Sequence, residues 1–352
     1  EVAWRETTLP AHELGSLVVL WDSSEPMVLG NGGAHPLGCE ALHTLFEAET
    51  LVATPLRARE AFLGLLLVNL NRTPPRLTKA LRDVLTGIAR QLSVALENST
   101  LYKEALENER RSQELILARQ IQTALLPEKA PDLPGYDMAG YWRPAREVAG
   151  DFYDFLHLSQ GRLAFSIADV ADKGIGAALF MVLTRSALRE SLWVEKDPGR
   201  ALTRMNALIA DDVRNGMFLT IFLGILSPES GRLQAANAGH LPPLVYRAST
   251  DSLSSTVRRN MPVGIMPDTR YDTIDLVLEA GDLMVLITDG IMDTMNPKGE
   301  LYGLQRLSTL VYEHRHEDAH TLVTMILDAA LAHAEGQPFD DDLTIIVLRR
   351  TE

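Results

Sequence analysis

The pattern of apolar and polar positions changes character twice along this chain. From residue 1 to about 97, short apolar runs alternate with turn signals. "LGSLVVLWD" at 14–22 reads as a strand, "LGNGGAHPLG" as a glycine-rich turn, and "LVATPLRA" with "AFLGLLLVNL" as a hairpin of two buried strands. Apolar residues then recur at helical spacing, Leu85, Ile88, Leu92 and Ala95, behind Thr78 as a candidate N-cap. The helix meets no stop signal in the polar run "ENERRSQE" at 107–114. Its stripe continues through Tyr102, Leu106, Leu115, Ile116 and Ile121, although Glu109 and Gln113 fall on it, and Pro127 ends it. A long helix with little core of its own calls for a partner helix. Residues 98–127 therefore predict a coiled-coil linker and a homodimer, the alternative being a solvated tether.

From Tyr136 onward the period becomes that of strands. "YDMAGYWRP", "DFYDFLHL", "RLAFSIADV", "FLTIFLGIL", "RLQAANAG", "PPLVYR", "DTIDLVLEA", "LMVLITD" and "LTIIVLRR" are strand candidates. Helices are expected at "GAALFMVLTRSALRESLW", "DPGRALTRMNALIADDV" and "AHTLVTMILDAALAHA". Strands joined by short turns, with helices in separate runs, predict an α+β domain of largely antiparallel sheets over 128–352.

Composition narrows the function. A net charge of −14 over 352 residues argues against nucleic acid or an anionic membrane as partner. The single cysteine, Cys39, excludes an intrachain disulfide framework and multi-thiolate metal centres; it is expected to be an ordinary buried thiol in a cytoplasmic protein. The longest apolar run is too short to span a bilayer. The chain opens on Glu1 rather than Met, without a signal peptide, and is expected to be a piece of something longer.

The chemistry lies in carboxylates. Asp151 follows Gly150 in "EVAGDFYD"; Asp169 ends "LAFSIAD"; Asp289 ends "LMVLITD"; and Asp340, Asp341 and Asp342 run into the last strand. A strand gives each a rigid mount, and glycine lets the backbone approach closely. Oxygen donors without His or Cys suit Mg²⁺ or Mn²⁺. Each motif alone is an ordinary turn or strand end; four in one domain point to a cation site.

Taken in order, "VAGDFYD", "ADVADKG", "NAGHLPP", "ITDGIMDTMNPKGELYG" and "DDDLTIIVLR" resemble the SpoIIE/RsbU branch of the PPM metal-dependent serine/threonine protein phosphatases, from "RQIQTALLP" at residue 119 onward. Residues 1–97, chiefly "TPLRAREAFLGLLLV" and "IARQLSVALENSTLYKE", resemble part of a GAF sensor domain, a small α/β fold. The resemblance implies a four-layer αββα sandwich of two antiparallel sheets with two Mn²⁺ or Mg²⁺ ions at one edge. It implies that Asp169 bridges both ions and the Val170 carbonyl completes one, that Asp289 and Asp341 hold the second, and that Asp151 lies among or next to the residues that ligate the ions. Asp342 would then support the ligands and Asp340 be solvated; the alternative register makes Asp342 the ligand. Arg146 stands where an arginine could grip phosphate, the alternative being an ordinary surface arginine.

The sequence departs from the branch in places. Ala149 replaces a second glycine and would strain a turn that needs positive φ. Asp172 and Lys173 stand where the branch commonly shows Gly-His, and Ala171 supplies no general acid. His240 is expected to be a hydrogen-bonded turn residue rather than a ligand. The implied activity is hydrolysis of phosphoserine or phosphothreonine by an activated water, with no phosphoenzyme. The implied substrate is a phosphorylated anti-sigma-factor antagonist of STAS type, with a small ligand or partner protein acting at the sensor. The rivals are a degenerate phosphatase fold that only binds its partner, and a hydrolase of small phosphoesters.

Overall fold

The computed structural model describes residues 20, 23, 25–29, 48, 50–59, 61–70, 77–210, 216–255 and 259–352. Cys39 and the glycine-rich turn beyond Leu29 lie outside them; of 14–22 only Leu20 is described, and it is helical and buried rather than extended. The chain divides into two compact units, Glu1–Arg111 and Ser112–Glu352.

In the first unit β1 (Met27–Leu29), β2 (Leu51–Ala58) and β3 (Ala61–Asn69) form an antiparallel sheet in that order. The expected hairpin is β2–β3, with a bulge at Leu56/Arg57. Its two strands are not equally buried, however. β2 is buried almost throughout, whereas β3, at the edge of the sheet among the described residues, is half-exposed. The helix α1 runs unbroken from Lys79 to Leu125, and Thr78 Oγ1 accepts from the Leu81 amide at 3.3 Å as its N-cap. Within the first unit its buried positions are Leu85, Ala89 and Ser93, while Ile88 and Leu92 are exposed. The face turned inward is thus one stripe over from the one expected, because Ser93 Oγ accepts from the Arg57 amide of β2 at 2.9 Å.

The second unit has two five-stranded antiparallel sheets. One has the order β10 (Ser252–Ser254), β9 (Leu244–Arg247), β12 (Leu283–Ile287), β13 (Leu343–Arg350), β4 (Tyr136–Arg143). The other has the order β11 (Ile274–Val277), β8 (Arg232–Ala238), β7 (Leu219–Ser227), β6 (Leu163–Val170), β5 (Phe152–His157). Side-chain alternation sorts the core into three layers. Phe165, Ile167, Phe222, Met284, Leu286 and Ile346 fill the space between the sheets. Ala164, Ala168 and Val170 face outward under α2 (Ile175–Val194) and α3 (Pro198–Ala210). Leu283, Val285, Ile345 and Val347 lie beneath helices on the other side. The chain meets the expected αββα sandwich. Besides the short α4 (Asp289–Met292) and the expected α6 (Ala319–Ala334), it has α5 (Gly303–Glu313), where no helix was anticipated. No helix among the described residues is long and apolar enough to cross a membrane.

Candidate metal centre

The alternation that builds the middle layer also builds the site. Asp151 shares its face with Tyr153, Asp169 with Phe165 and Ile167, Thr288 with Leu286, and Thr344 with Ile346. At one end of the sandwich the apolar filling therefore gives way to carboxylates and hydroxyls. Thr344 Oγ1 donates to Asp151 Oδ2 at 2.8 Å, and Trp142 Nε1 donates to the Asp151 carbonyl at 3.0 Å. Thr288 Oγ1 donates to the Asp342 carbonyl at 3.4 Å and accepts from the Thr344 amide at 3.1 Å, and Asp169 is close enough for its charge to repel that of Asp151. Asp289 opens α4 with Thr288 as the residue before it. Gly290 is obligatory there, since a Cβ would stand 2.1 Å from the Asp342 carbonyl.

The three consecutive aspartates have different fates. Asp340 is exposed. Asp341 is half-buried; its Oδ2 is 2.9 Å from Lys173 Nζ, and its Oδ1 accepts from the Asp342 amide at 2.9 Å. Asp342 is buried and faces the loop before β5: Oδ1 accepts from the Ala145 amide at 2.8 Å, and Oδ2 from the Gly150 amide at 2.9 Å and the Asp151 amide at 3.4 Å. Arg146, exposed, lies on the loop so held.

Ala149 does not adopt positive φ and introduces no strain. Glycine matters one residue later, because a Cβ on Gly150 would press within 3.2 Å of the Val170 carbonyl. The left-handed position is Asp172, with φ of 138°, whose Oδ1 accepts from the Lys173 amide at 2.8 Å. This is where the branch's usual glycine would sit without cost.

Burial first and like charge second push these carboxyls up. Asp169 is pushed up to about 7, by burial first and then by Asp289, the strongest of the repelling charges. Asp151 lies well above the usual carboxylate range through burial and through Asp169 and Asp342. Asp289 is raised by burial and Asp341, and Asp342 by burial against the three amides that lower it. A cluster whose ionised forms oppose one another, built of hard oxygen donors, fits a divalent cation. Among the described residues no three His, Cys, Asp or Glu side chains stand as a ready-made cage, and Asp341 is drawn onto Lys173. Among the described residues, cavities of about 770 Å³ along α5 and about 610 Å³ between β2 and α1 lie elsewhere.

Three partners of the site were not foreseen: Thr288, Thr344 and Gln122. The threonines were legible as polar residues inside apolar strands, which must find a bond when buried. Gln122, near the end of α1, is 3% exposed; its Nε2 donates to the Ala149 carbonyl at 2.9 Å, and its Oε1 accepts from the Ala149 amide at 3.1 Å.

Residues 159–351 match the family model of Stage II sporulation protein E (SpoIIE). The chain belongs to the SpoIIE family. It is 32% identical over 266 residues to Protein IcfG of Synechocystis sp., covering 67% of this chain and 41% of that protein. It is 31% identical over 237 residues to phosphoserine phosphatase RsbU of Bacillus subtilis, covering 67% of this chain and 70% of RsbU. This SpoIIE-family chain thus spans less than half of one relative and about two thirds of the other. Among solved structures, the SiaA-PP2C domain of Pseudomonas aeruginosa shares the fold, with a TM-score of 0.62 at 20% identity over 70% of this chain and 99% of that one.

Proposed function

We propose that this chain is a metal-dependent protein serine/threonine phosphatase of a partner-switching circuit. The convergence of Asp151, Asp169, Asp289 and Asp341 at one end of the sandwich carries the reading, and the likeness to RsbU, named as a phosphoserine phosphatase, supports it. Asp169 and the Val170 carbonyl would hold one of two Mn²⁺ or Mg²⁺ ions, with Asp151 among or next to the ligating residues. Asp169 would also bridge to the second ion, held by Asp289 and Asp341. When bound, such ions lower the pKa of water and offset charge on a phosphoryl group, so attack on phosphorus needs no nucleophilic side chain. The chain's own residues supply the geometry. Asp342, with both oxygens engaged by amides, fixes the loop bearing Asp151, which favours a supporting role over ligation. Arg146 on that loop would grip the substrate phosphate.

The substrate in this reading is a phosphorylated anti-sigma-factor antagonist of STAS type. A GAF-like sensor over 1–97, answering to a small ligand or partner protein, would control it through 98–127. The exposed Leu92, Tyr102, Leu106, Ile116 and Ile121 along α1 favour pairing with a second copy. Light scattering tests this: Leu92→Glu with Ile121→Glu should give a monomer.

The Lys173–Asp341 pair favours a second reading, a phosphatase fold that binds its phosphoprotein without turnover. One assay separates the two. Asp289→Asn should abolish Mn²⁺-dependent hydrolysis of p-nitrophenyl phosphate and of the phosphorylated antagonist, with the circular dichroism unchanged. A wild-type chain that binds the phosphoprotein but never turns it over leaves the binding module.

A further inference from the structure

Thr220 and Ile287 belong to different sheets, and a single imidazole joins them. His240 follows β8 and is 2% exposed. Its Nδ1 lies 2.8 Å from Thr220 Oγ1 and its Nε2 lies 3.1 Å from the Ile287 carbonyl. A carbonyl can only accept, so Nε2 carries the proton, and in the neutral ring Nδ1 must accept from the Thr220 hydroxyl. Both anchors adjoin a carboxylate of the candidate centre. Thr220 stands directly opposite Asp169 in the β6–β7 register, and Ile287 ends β12 two residues before Asp289. The turn is itself held: Asn237 Nδ2 donates to the His240 carbonyl at 3.1 Å. Gly239, at φ of 79°, has no room for a Cβ, which would stand 2.7 Å from Pro262 Cγ.

We infer that His240 is a positioning residue: its rigid, neutral imidazole sets the separation between the strand end carrying Asp169 and the one carrying Asp289. Elsewhere in the middle layer the two sheets are held apart by apolar side chains, whose attraction has no direction and tolerates sliding. At this end that filling is replaced by carboxylates that repel. A rung of fixed length, with no torsion between its two nitrogens, restores a defined spacing where ligands must be placed to a fraction of an ångström. Burial pushes the His240 pKa down to about 4, in keeping with a ring that accepts from Thr220 at neutral pH.

The inference rests on the metal-dependent reading, and its test separates the two. ¹⁵N spectra of histidine-labelled wild-type protein at pH 7 should show a buried ring protonated at Nε2 and bare at Nδ1; the opposite tautomer or an imidazolium overturns the proposal. Mn²⁺ dissociation constants, measured by electron paramagnetic resonance of the free ion, should rise about 10- to 100-fold in His240→Ala. Thr220→Val, which keeps shape and loses only the hydroxyl, should show a smaller rise. His240→Gln, whose amide can still donate to Ile287, should recover part of the loss. Folded variants with wild-type Mn²⁺ affinity would make His240 a mere core residue. Should His240→Ala fail to fold, Thr220→Val and the tautomer decide. Should wild type bind no Mn²⁺, the metal-dependent reading falls, and amide exchange at Asp169 and Asp289 judges the tether: faster in Thr220→Val supports it, unchanged overturns it.

Discussion

Lys173 Nζ lies 2.9 Å from Asp341 Oδ2 and donates to the Asp340 carbonyl at 2.7 Å. A tethered ammonium thus competes with any dissolved cation for that carboxylate. The two side chains are 42% and 34% exposed, so solvent screens the pair, and its worth is under about 1 kcal/mol. Lys173→Gln should therefore lower the half-saturating Mn²⁺ concentration by up to about fivefold, read by metal titration of turnover. A variant that needs more Mn²⁺ would show that Lys173 assists the centre rather than competing with it.

The aspartate run predicts three distinct phenotypes. Asp341→Asn should fold normally and lose Mn²⁺-dependent turnover. Asp340→Asn removes an exposed charge while keeping the carbonyl that Lys173 uses, so stability should stay within about 0.5 kcal/mol and activity near normal. Asp342→Asn sets an amide nitrogen against either the Ala145 donor or the Gly150 donor, which should cost about 2–3 kcal/mol in denaturant melts. An Asp341→Asn protein with full turnover would shift the register to Asp342.

Protonation of Asp169 makes a prediction with a definite sign. Its pKa is pushed up to about 7, against about 3.9 in an unfolded chain. The folded state therefore binds the extra proton, and this group's contribution is present below about pH 4 and lost as pH rises through about 7. In EDTA, wild type should weaken relative to Asp169→Asn over that window, by on the order of 4 kcal/mol. Mn²⁺ should restore wild type alone. His240, with the opposite shift, loses its contribution as pH falls from about 6.5 to about 4, and it cancels in the comparison. Parallel pH curves for the two proteins would remove Asp169 from the coupled cluster.

Gln122 ties α1 to the backbone of Ala149, two residues from Asp151. Gln122→Ala strands a buried amide and a buried carbonyl, at a cost of about 2–3 kcal/mol. Amide exchange over 145–151 should accelerate, and turnover should fall more than stability explains. Unchanged exchange there would leave Gln122 as packing alone.

Much of the two-sheet fold was legible because strand period, turn residues and helix spacing are local properties. "AHTLVTMILDAALAHA" is α6 to the residue, and the nine strand candidates beyond Tyr136 all pair in the two sheets. The short β10 carries too few residues for a period, and α5 went unmarked between the turn signals of "NPKGELYG" and His314 despite Leu304, Leu307 and Val311 at helical spacing. On α1 the spacing allowed several neighbouring stripes. Only the contact with β2 selected Leu85, Ala89 and Ser93.

By itself the sequence determined which residues could hold a hard cation, since only carboxylates stand at the strand ends and no thiol or paired imidazole competes with them. It also determined the alternation that turns Asp151 and Asp169 to the inner face of one sheet and Thr344 to the inner face of the other. It left Asp341 and Asp342 interchangeable, because neighbours at a strand's start differ only in which way they point. The tertiary structure decided between their surroundings. The loop 144–151 comes from a point nearly two hundred residues away, and its amides meet Asp342, leaving Asp341 toward Lys173. Likewise nothing local to "NAGHLPP" could place His240 between two sheets; that needed Thr220 and Ile287, whose approach depends on the packing of the whole middle layer. Local chemistry is written in neighbours along the chain, while hydrogen-bond partners brought together by packing are a property of the folded core.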